Sequence, residues 1–486
     1  MKNSLAGVTA LFTDYYSLTM TQGYWKKGMT NRAVFEMFFR GQPFGGGFSV
    51  FAGLGTLLQK LQLFTFSADD INYLRELNVF EDAFLDYLKD FRFSGSLWAM
   101  EEGTIVFPNE PIIRVDGTII ECQMIEGLLL NTINFQSLIA TKTARIWLAS
   151  NKGNIAELGL RRAQGPDGAL SASRAAYIGG VSATSNTLAG KELGIPIMGT
   201  MAHSWVMSCP SEEEAFRTYA EIYPDTTAFL IDTYDTLKSG MLNAIKVGKT
   251  LAEKGKNFGV RLDSGDIHYL SVEARKMLDA AGLANATITV SNDLDEHIIQ
   301  ALTDAKTPVD TWGVGTQMVT GGNEAAFKGV YKLAAICDEK GMCSAKIKFS
   351  DNPEKTNNPG VKQVWRIKYA DGMYVADILA LDEPENIDSI EKGKSYTFWH
   401  PSVDYRRFTH TLESDPKPLL TEHLRNGKPT KEQPSLDDIR NYMRQDLEAL
   451  DQSYKRLLNP HVYKVSFTAQ LRTLKLDLIK NFLGDL

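Results

Sequence analysis

Ile195-Pro196-Ile197-Met198-Gly199, Ala228-Phe229-Leu230-Ile231, Phe258-Gly259-Val260-Arg261-Leu262, Ile288-Thr289-Val290 and Thr311-Trp312-Gly313-Val314-Gly315 are five short apolar runs, and each is followed by a polar knot. The knots are His203-Ser204, Asp232-Thr233-Tyr234-Asp235, Asp263-Ser264-Gly265-Asp266, Ser291-Asn292-Asp293 and Gly315-Thr316-Gln317. Successive runs start roughly 30 residues apart, the size of one strand-and-helix unit. Strands alternating with helices build parallel sheets, and in (β/α) barrels the chemistry gathers at the strand C-terminal ends. The repeat therefore predicts an α/β fold, an irregular barrel whose rim carries the active site.

Working outward, the 486 residues fall into three regions: 1–130, an N-terminal α/β domain; 131–350, the barrel; and 351–486, a C-terminal region. The first mixes helical sequence over 67–90 with the strand-like alternation Ala33-Val34-Phe35-Glu36-Met37-Phe38-Phe39-Arg40, and consecutive glycines mark a turn at Phe44-Gly45-Gly46-Gly47-Phe48. In the barrel region, helices are expected over 136–149, 240–254, 267–281 and 294–304. Asn352-Pro353 and Asn357-Asn358-Pro359-Gly360 read as a polar loop. The third region opens with a hairpin over 362–381, turning at Asp371-Gly372, and closes with an amphipathic helix over 435–458.

Composition limits the possible partners. A formal net charge of -7 gives no basic footprint for a nucleic-acid backbone. No window reaches the roughly 18 uninterrupted apolar residues of a membrane span, and the start of the chain carries no secretory apolar core. Cys122, Cys209, Cys337 and Cys343 lack metal-ligand spacing, the closest two being separated by five residues. A reduced, cytoplasmic setting is the simpler expectation.

The knots carry recognisable chemistry. Arg261 to Asp266 packs a cation, two carboxylates, a hydroxyl and a glycine into six residues, a set suited to a ribose or a metal-chelated phosphate. An ordinary helix start capped by Asp263 or Ser264 is the plainer alternative. His203 can reach a pocket as base, acid or nucleophile, against the commoner outcome of a buried, satisfied histidine. Asp232, at the end of the next run, is placed to orient its ring. Arg161 and Arg162 offer the planar fork that grips carboxylates and phosphates, or are simply solvated. Gly179 to Thr187 permits close approach to a ligand, or is a turn. Ser291-Asn292-Asp293 precedes a helix whose free N–H groups favour anions, and Gly313-Val314-Gly315-Thr316 looks like a phosphate loop.

Taken with Leu11 to Met20 and with Phe35-Glu36 through Pro43-Phe44-Gly45-Gly46, these motifs resemble the nicotinate phosphoribosyltransferase family, in its order from about residue 10 to 330. The resemblance implies a type II phosphoribosyltransferase fold: an irregular α/β barrel plus an N-terminal α/β domain completed by later strands, the 362–381 hairpin among them. It implies a homodimer with shared active sites, and an ATP-dependent, ligase-type enzyme of NAD biosynthesis. That enzyme joins nicotinate to phosphoribosyl pyrophosphate, with Mg²⁺ implied and ATP as co-substrate. His203 then corresponds to a phosphohistidine and Asp232 to its orienting carboxylate. Arg161 and Arg261 hold the nicotinate carboxylate and adjoining phosphates, and Asp263 lies near ribose and Mg²⁺. Tyr16 stacks on the pyridine ring from across the dimer. Ser204 joins the substrate contacts, while Ser291, Asn292, Gly315 and Thr316 hold the 5′-phosphate. Related nicotinamide enzymes place an aspartate where Asn186 aligns here, so its loss favours the acid substrate.

Three other readings remain at this level: a nicotinamide-type enzyme, another sugar-phosphate barrel enzyme such as an aldolase, and a non-catalytic metabolite-binding protein. No knot begins with the strand-end lysine an aldolase needs. His400, His410, His423 and His461 have no motif context and read as structural or surface residues.

Overall fold

The computed structural model describes residues 8–348, 356–383, 388–403 and 405–484. Asn352-Pro353, expected in a loop, lies outside them. By its contacts the chain divides into two units, one of residues 1–141 with 326–486 and the other of residues 142–325. The third region of the sequence thus belongs with the first.

In the larger unit, Arg32–Phe39 pairs antiparallel with Ile113–Thr118 on one side and with Gly329–Cys337 on the other. The sheet extends through Ser96–Ala99 to the late strand Thr421–Arg425, which closes over 300 residues of sequence. Later strands therefore complete the N-terminal sheet. The strand Arg32–Phe39 is buried at every position but its first, because both of its faces are covered. Its Glu36 carboxylate is paired at 2.8 Å with Lys362 Nζ, which also donates to the carbonyls of Asn358, Pro359 and Gly360. The expected hairpin is Lys362–Lys368 against Tyr374–Leu381. It belongs to a second sheet of six strands rather than to the sheet of Arg32–Phe39. The expected C-terminal helix stops at Leu436–Glu448, followed by the short Gln452–Lys455, because Asp451 starts a new cap.

One expectation about the cysteines fails. Cys337 and Cys343 face each other across an antiparallel ladder and form a disulfide, whereas Cys122 and Cys209 are free. The turn between them brings the two positions into register, which spacing by itself did not reveal. No helix among the described residues is long and apolar enough to cross a membrane.

The smaller unit holds a six-stranded parallel sheet in the order Ala183–Thr184, Asn154–Glu157, Thr311–Val314, Thr287–Val290, Gly259–Leu262, Ala228–Leu230. Four of the five quoted runs are its strands. The fifth, at 195–199, is not: it makes a single bridge, Thr184 with Ile197. Pro196 has no N–H to donate, so the ladder there is reduced to its carbonyl accepting from Thr184 N and to Met198 N donating to Thr184 O. Among the described residues the ladder stays open between that bridge and Ala228–Leu230. These strands form an open parallel sheet and do not close into the expected barrel.

Helices Met241–Glu253, Ile267–Ala280 and Glu296–Asp304 follow three of the strands. Their starts assign acidic residues in and just after the knots. Asp266 caps Ile267–Ala280 and Asp295 caps Glu296–Asp304, each accepting from backbone N–H groups two or three residues on. Glu296 sits buried between Lys142 Nζ at 2.5 Å and Arg145 Nε at 3.0 Å. Burial alone would raise its carboxyl, but the two cations hold it below its ordinary value.

Candidate active site

The parallel sheet determines which side chains meet. Gly259–Leu262 and Thr287–Val290 are in register, so the loops that follow, beginning at Asp263 and Ser291, emerge side by side. Arg261, still on the strand, is buried except for 17% of its side chain and makes three bonds. Its Nε donates to Ser291 Oγ at 3.0 Å, one terminal nitrogen donates to Thr200 Oγ1 at 3.1 Å, and the other to Asp263 Oδ1 at 3.1 Å. The Ser291 hydroxyl in turn donates to Asp263 Oδ1. Arg261, Ser291 and Asp263 therefore close a triangle. A guanidinium carries five N–H groups, so one on each terminal nitrogen stays available for an anion.

His203 opens the short helix His203–Ser208 and is 41% exposed at its side chain. Its Nδ1 lies 3.2 Å from Thr233 Oγ1, and its Nε2 lies 3.8 Å from Asp263 Oδ2. The orienting role expected of Asp232 is not seen. Asp232 Oδ2 accepts from the Asp263 backbone N–H at 3.0 Å and the Ser264 hydroxyl at 2.5 Å, bracing the neighbouring loop instead of the imidazole. Its other oxygen is buried without a hydrogen-bond partner.

A cavity of about 420 Å³ opens beside them, with Leu158, Arg161, Ser185, Thr200, Met201 and Leu230 among its walls. His203, Arg261 and Asp263 all face it. The walls thus combine apolar side chains with two arginines, a carboxylate and an imidazole, a composition suited to a flat apolar ring bearing anionic groups.

Asn186 is not among the lining residues, because its amide is committed elsewhere. It caps Thr187–Leu193 by accepting from Ala189 N, and its NH₂ donates to Ser173 Oγ at 3.2 Å. Ser185, one position earlier, faces the cavity. Behind it the fully buried Glu157 accepts from the hydroxyls of Ser173 at 2.9 Å and Thr184 at 2.5 Å and from the Gly159 N–H, fixing the loop that presents Arg161.

The other expected residues are scattered. Ser204 is exposed on the first turn of its helix and outside the cavity lining. Ser291 is 3% exposed and occupied by Arg261 and Asp263. Asn292 has a backbone φ of 116°, uncommon for any residue but glycine, and its own side chain accepts from Asp293 N. The free helix amides expected after Ser291-Asn292 are already taken by Asp295. Gly315 and Thr316 begin a four-residue helix whose first N–H groups lack intrahelical acceptors, as at any helix start. A Cβ on Gly313 would lie 2.6 Å from Leu158 Cδ1 and 3.2 Å from Ser291 Cβ, so glycine there lets the two loops approach. Tyr16 belongs to the larger unit, on an exposed helix face, where its hydroxyl donates to Glu126 Oε2 at 3.1 Å. Partial burial and the Glu126 charge push that phenol up to about 12.

Reasoning from the sequence missed Thr200, Thr233, Glu157 and Ser185 as parts of this constellation. Each stands one to four residues from a residue it did single out, so the signal lay beside those more reactive residues, and only Thr233 belongs to a knot.

Known proteins match along most of the chain. Profiles described as the nicotinate phosphoribosyltransferase (NAPRTase) N-terminal domain, the family itself and its C-terminal domain match residues 11–134, 154–373 and 361–475. A nicotinate phosphoribosyltransferase of Bacillus subtilis is 41% identical over 467 residues, covering 94% of this chain and 93% of the relative. The chain belongs to the nicotinate phosphoribosyltransferase family. Another relative in that family, nicotinate phosphoribosyltransferase pncB2 of Mycobacterium tuberculosis, is 40% identical over 451 residues, covering 93% of this chain and 89% of its own. The crystal structure of human nicotinic acid phosphoribosyltransferase superposes with a TM-score of 0.83 at 30% identity, covering 96% of this chain and 99% of that one. A nicotinate-nucleotide pyrophosphorylase from Pyrococcus furiosus shares the fold, with a TM-score of 0.70 at 21% identity.

Proposed function

We propose that the protein is a nicotinate phosphoribosyltransferase of NAD biosynthesis, forming nicotinate mononucleotide and pyrophosphate from nicotinate and phosphoribosyl pyrophosphate. The observation that carries this reading is the convergence of His203, Arg261 and Asp263 on one arginine-flanked cavity in a member of that family. In the reaction the bond from the anomeric carbon to the pyrophosphate oxygen breaks, its electrons leave with pyrophosphate, and the pyridine nitrogen lone pair forms the new bond. Holding both reactants by their anions supplies orientation, worth far more than any single contact. Arg161 and Arg261 supply cations for the nicotinate carboxylate and the phosphates, and Gly315 and Thr316 offer N–H groups for the 5′-phosphate. Ser182 to Thr187 contains no carboxylate that would repel an acid substrate, and its cavity-facing member is Ser185.

ATP enters as a co-substrate: its γ-phosphoryl passes to a ring nitrogen of His203, ADP leaves, and water later releases the phosphate. Mg²⁺ fits as an ion brought in by the substrate. Among the described residues no three acidic, histidine or cysteine side chains form a cage, yet Asp263 lines the cavity and Asp232 keeps one unpaired buried oxygen. Of the two, Asp263 is the carboxylate that would hold it beside substrate oxygens, and the bound ion would supply charge neutralisation for the departing pyrophosphate. Tyr16 acts in a homodimer by stacking on the pyridine ring in the partner's site, in a cytoplasmic setting.

The test is mononucleotide formation from nicotinate and from nicotinamide with phosphoribosyl pyrophosphate, with and without ATP. Preference for the amide overturns the substrate assignment. Incubation with γ-labelled ATP checks the histidine: label must appear on the wild type and vanish in His203→Ala.

A further inference from the structure

We propose that Thr233 is a positioning residue for His203, its hydroxyl holding the imidazole through Nδ1 so that Nε2 faces Asp263 and the cavity. The inference rests on the reading of His203 as the reactive group. The ring needs a holder: it is 41% exposed and stands at the start of a six-residue helix, just after a segment that joins the sheet by one bridge. Its two nearest polar neighbours are Thr233 Oγ1 at 3.2 Å from Nδ1 and Asp263 Oδ2 at 3.8 Å from Nε2. Only the first is within hydrogen-bonding distance. Asp232, adjacent to Thr233 in sequence, is turned away toward Asp263 N and Ser264.

The chemical identity of the holder matters. A carboxylate can only accept, so at Nδ1 it would fix that nitrogen as N–H and favour the imidazolium. A hydroxyl accepts or donates by rotating one hydrogen. It can therefore back either neutral tautomer without moving the ring, which suits a nitrogen that presents a lone pair in one step and is substituted in another. The threonine is itself restrained, since its β-branch limits χ1. It also stands three residues past the end of the outermost strand, Ala228–Leu230.

The experiment compares Thr233→Val, which keeps the shape and removes the hydroxyl, with Thr233→Ser, which keeps the hydroxyl. Steady-state mononucleotide formation is measured together with the ¹⁵N resonances of the His203 ring, assigned by their loss in His203→Ala. Thr233→Val is expected to lower kcat roughly 10–100-fold, the range known for losing the supporting partner of a metal-bound histidine, with KM for nicotinate unchanged. The His203 ring resonances should shift in Thr233→Val, and Thr233→Ser should restore both readouts. Wild-type kcat with unshifted ring resonances in Thr233→Val overturns the proposal. A rise in KM alone overturns it as well, since that marks a substrate contact. Wild-type turnover in His203→Ala overturns the reading beneath it, an outcome the ring spectra distinguish because they report the Thr233 contact directly.

Discussion

Replacing Ser291 with alanine tests whether the triangle of Arg261, Ser291 and Asp263 is a brace for the site. The Ser291 hydroxyl accepts from Arg261 Nε at 3.0 Å and donates to Asp263 Oδ1, so one atom's removal deletes two bonds to charged groups. The direct Arg261–Asp263 contact at 3.1 Å survives, and Asp263 is exposed enough, at 32%, for water to replace what it loses. One charge-assisted bond is therefore the net loss, about 1.5–3 kcal/mol. That energy caps what a displaced Arg261 can cost: at about 1.36 kcal/mol per tenfold, a fall in kcat/KM of up to roughly 10- to 150-fold. The assay varies nicotinate at saturating phosphoribosyl pyrophosphate and then the reverse. A brace lowers kcat/KM for both substrates, because Arg261 and Asp263 each shift. A kcat/KM within about twofold of wild type for both refutes the reasoning, and a loss confined to phosphoribosyl pyrophosphate makes Ser291 a phosphate contact instead.

Three further outcomes are expected. Lys362→Met strands the buried Glu36 carboxylate and should cost about 3–5 kcal/mol of stability by urea denaturation, much of it recovered in the double variant with Glu36→Gln. Glu110 is fully buried, and burial first, then the neighbouring Asp377 charge, push its carboxyl well above the ordinary range. Its protonated form thus contributes stability that is complete below the unfolded value and is lost as pH rises through the folded one; Glu110→Gln should flatten that decline in unfolding midpoint measured against pH. Tyr16→Phe should leave turnover near wild type and Tyr16→Ala should raise the KM for nicotinate, because the proposed stacking needs the ring and not the hydroxyl bonded to Glu126.

The sequence made the strand ends legible because each run stops at a polar knot, and four runs are strands of the parallel sheet. It hid Asn154–Glu157 and Ala183–Thr184, which are four and two residues long and carry no periodicity to read. Pro196 was visible in the first run, yet its effect on the ladder depended on a partner strand unknown from composition. Within the site, residue types were readable and hydrogen-bond destinations were not. Asp232, Thr233, Asp263 and Asp266 are all polar strand-end residues, but one braces a loop, one holds a histidine, one faces the cavity and one caps a helix. Only the backbone directions after each strand separate those fates. The same limit explains Asn186, whose amide turns inward to a helix start while Ser185 turns outward.

The weak bridge at Ile197 sets how firmly the histidine is mounted. His203 follows a segment attached to the sheet by two backbone hydrogen bonds, whereas Arg261 is carried on a strand paired on both sides. Changes at Met198 or Gly199 can therefore re-aim the histidine with few sheet bonds opposing them, whereas Thr200 is tied to Arg261 and Met201 is buried. Changes around Arg261 disturb three strands at once. The histidine thus sits on the softer mount of the two, and the arginine on the stiffer one.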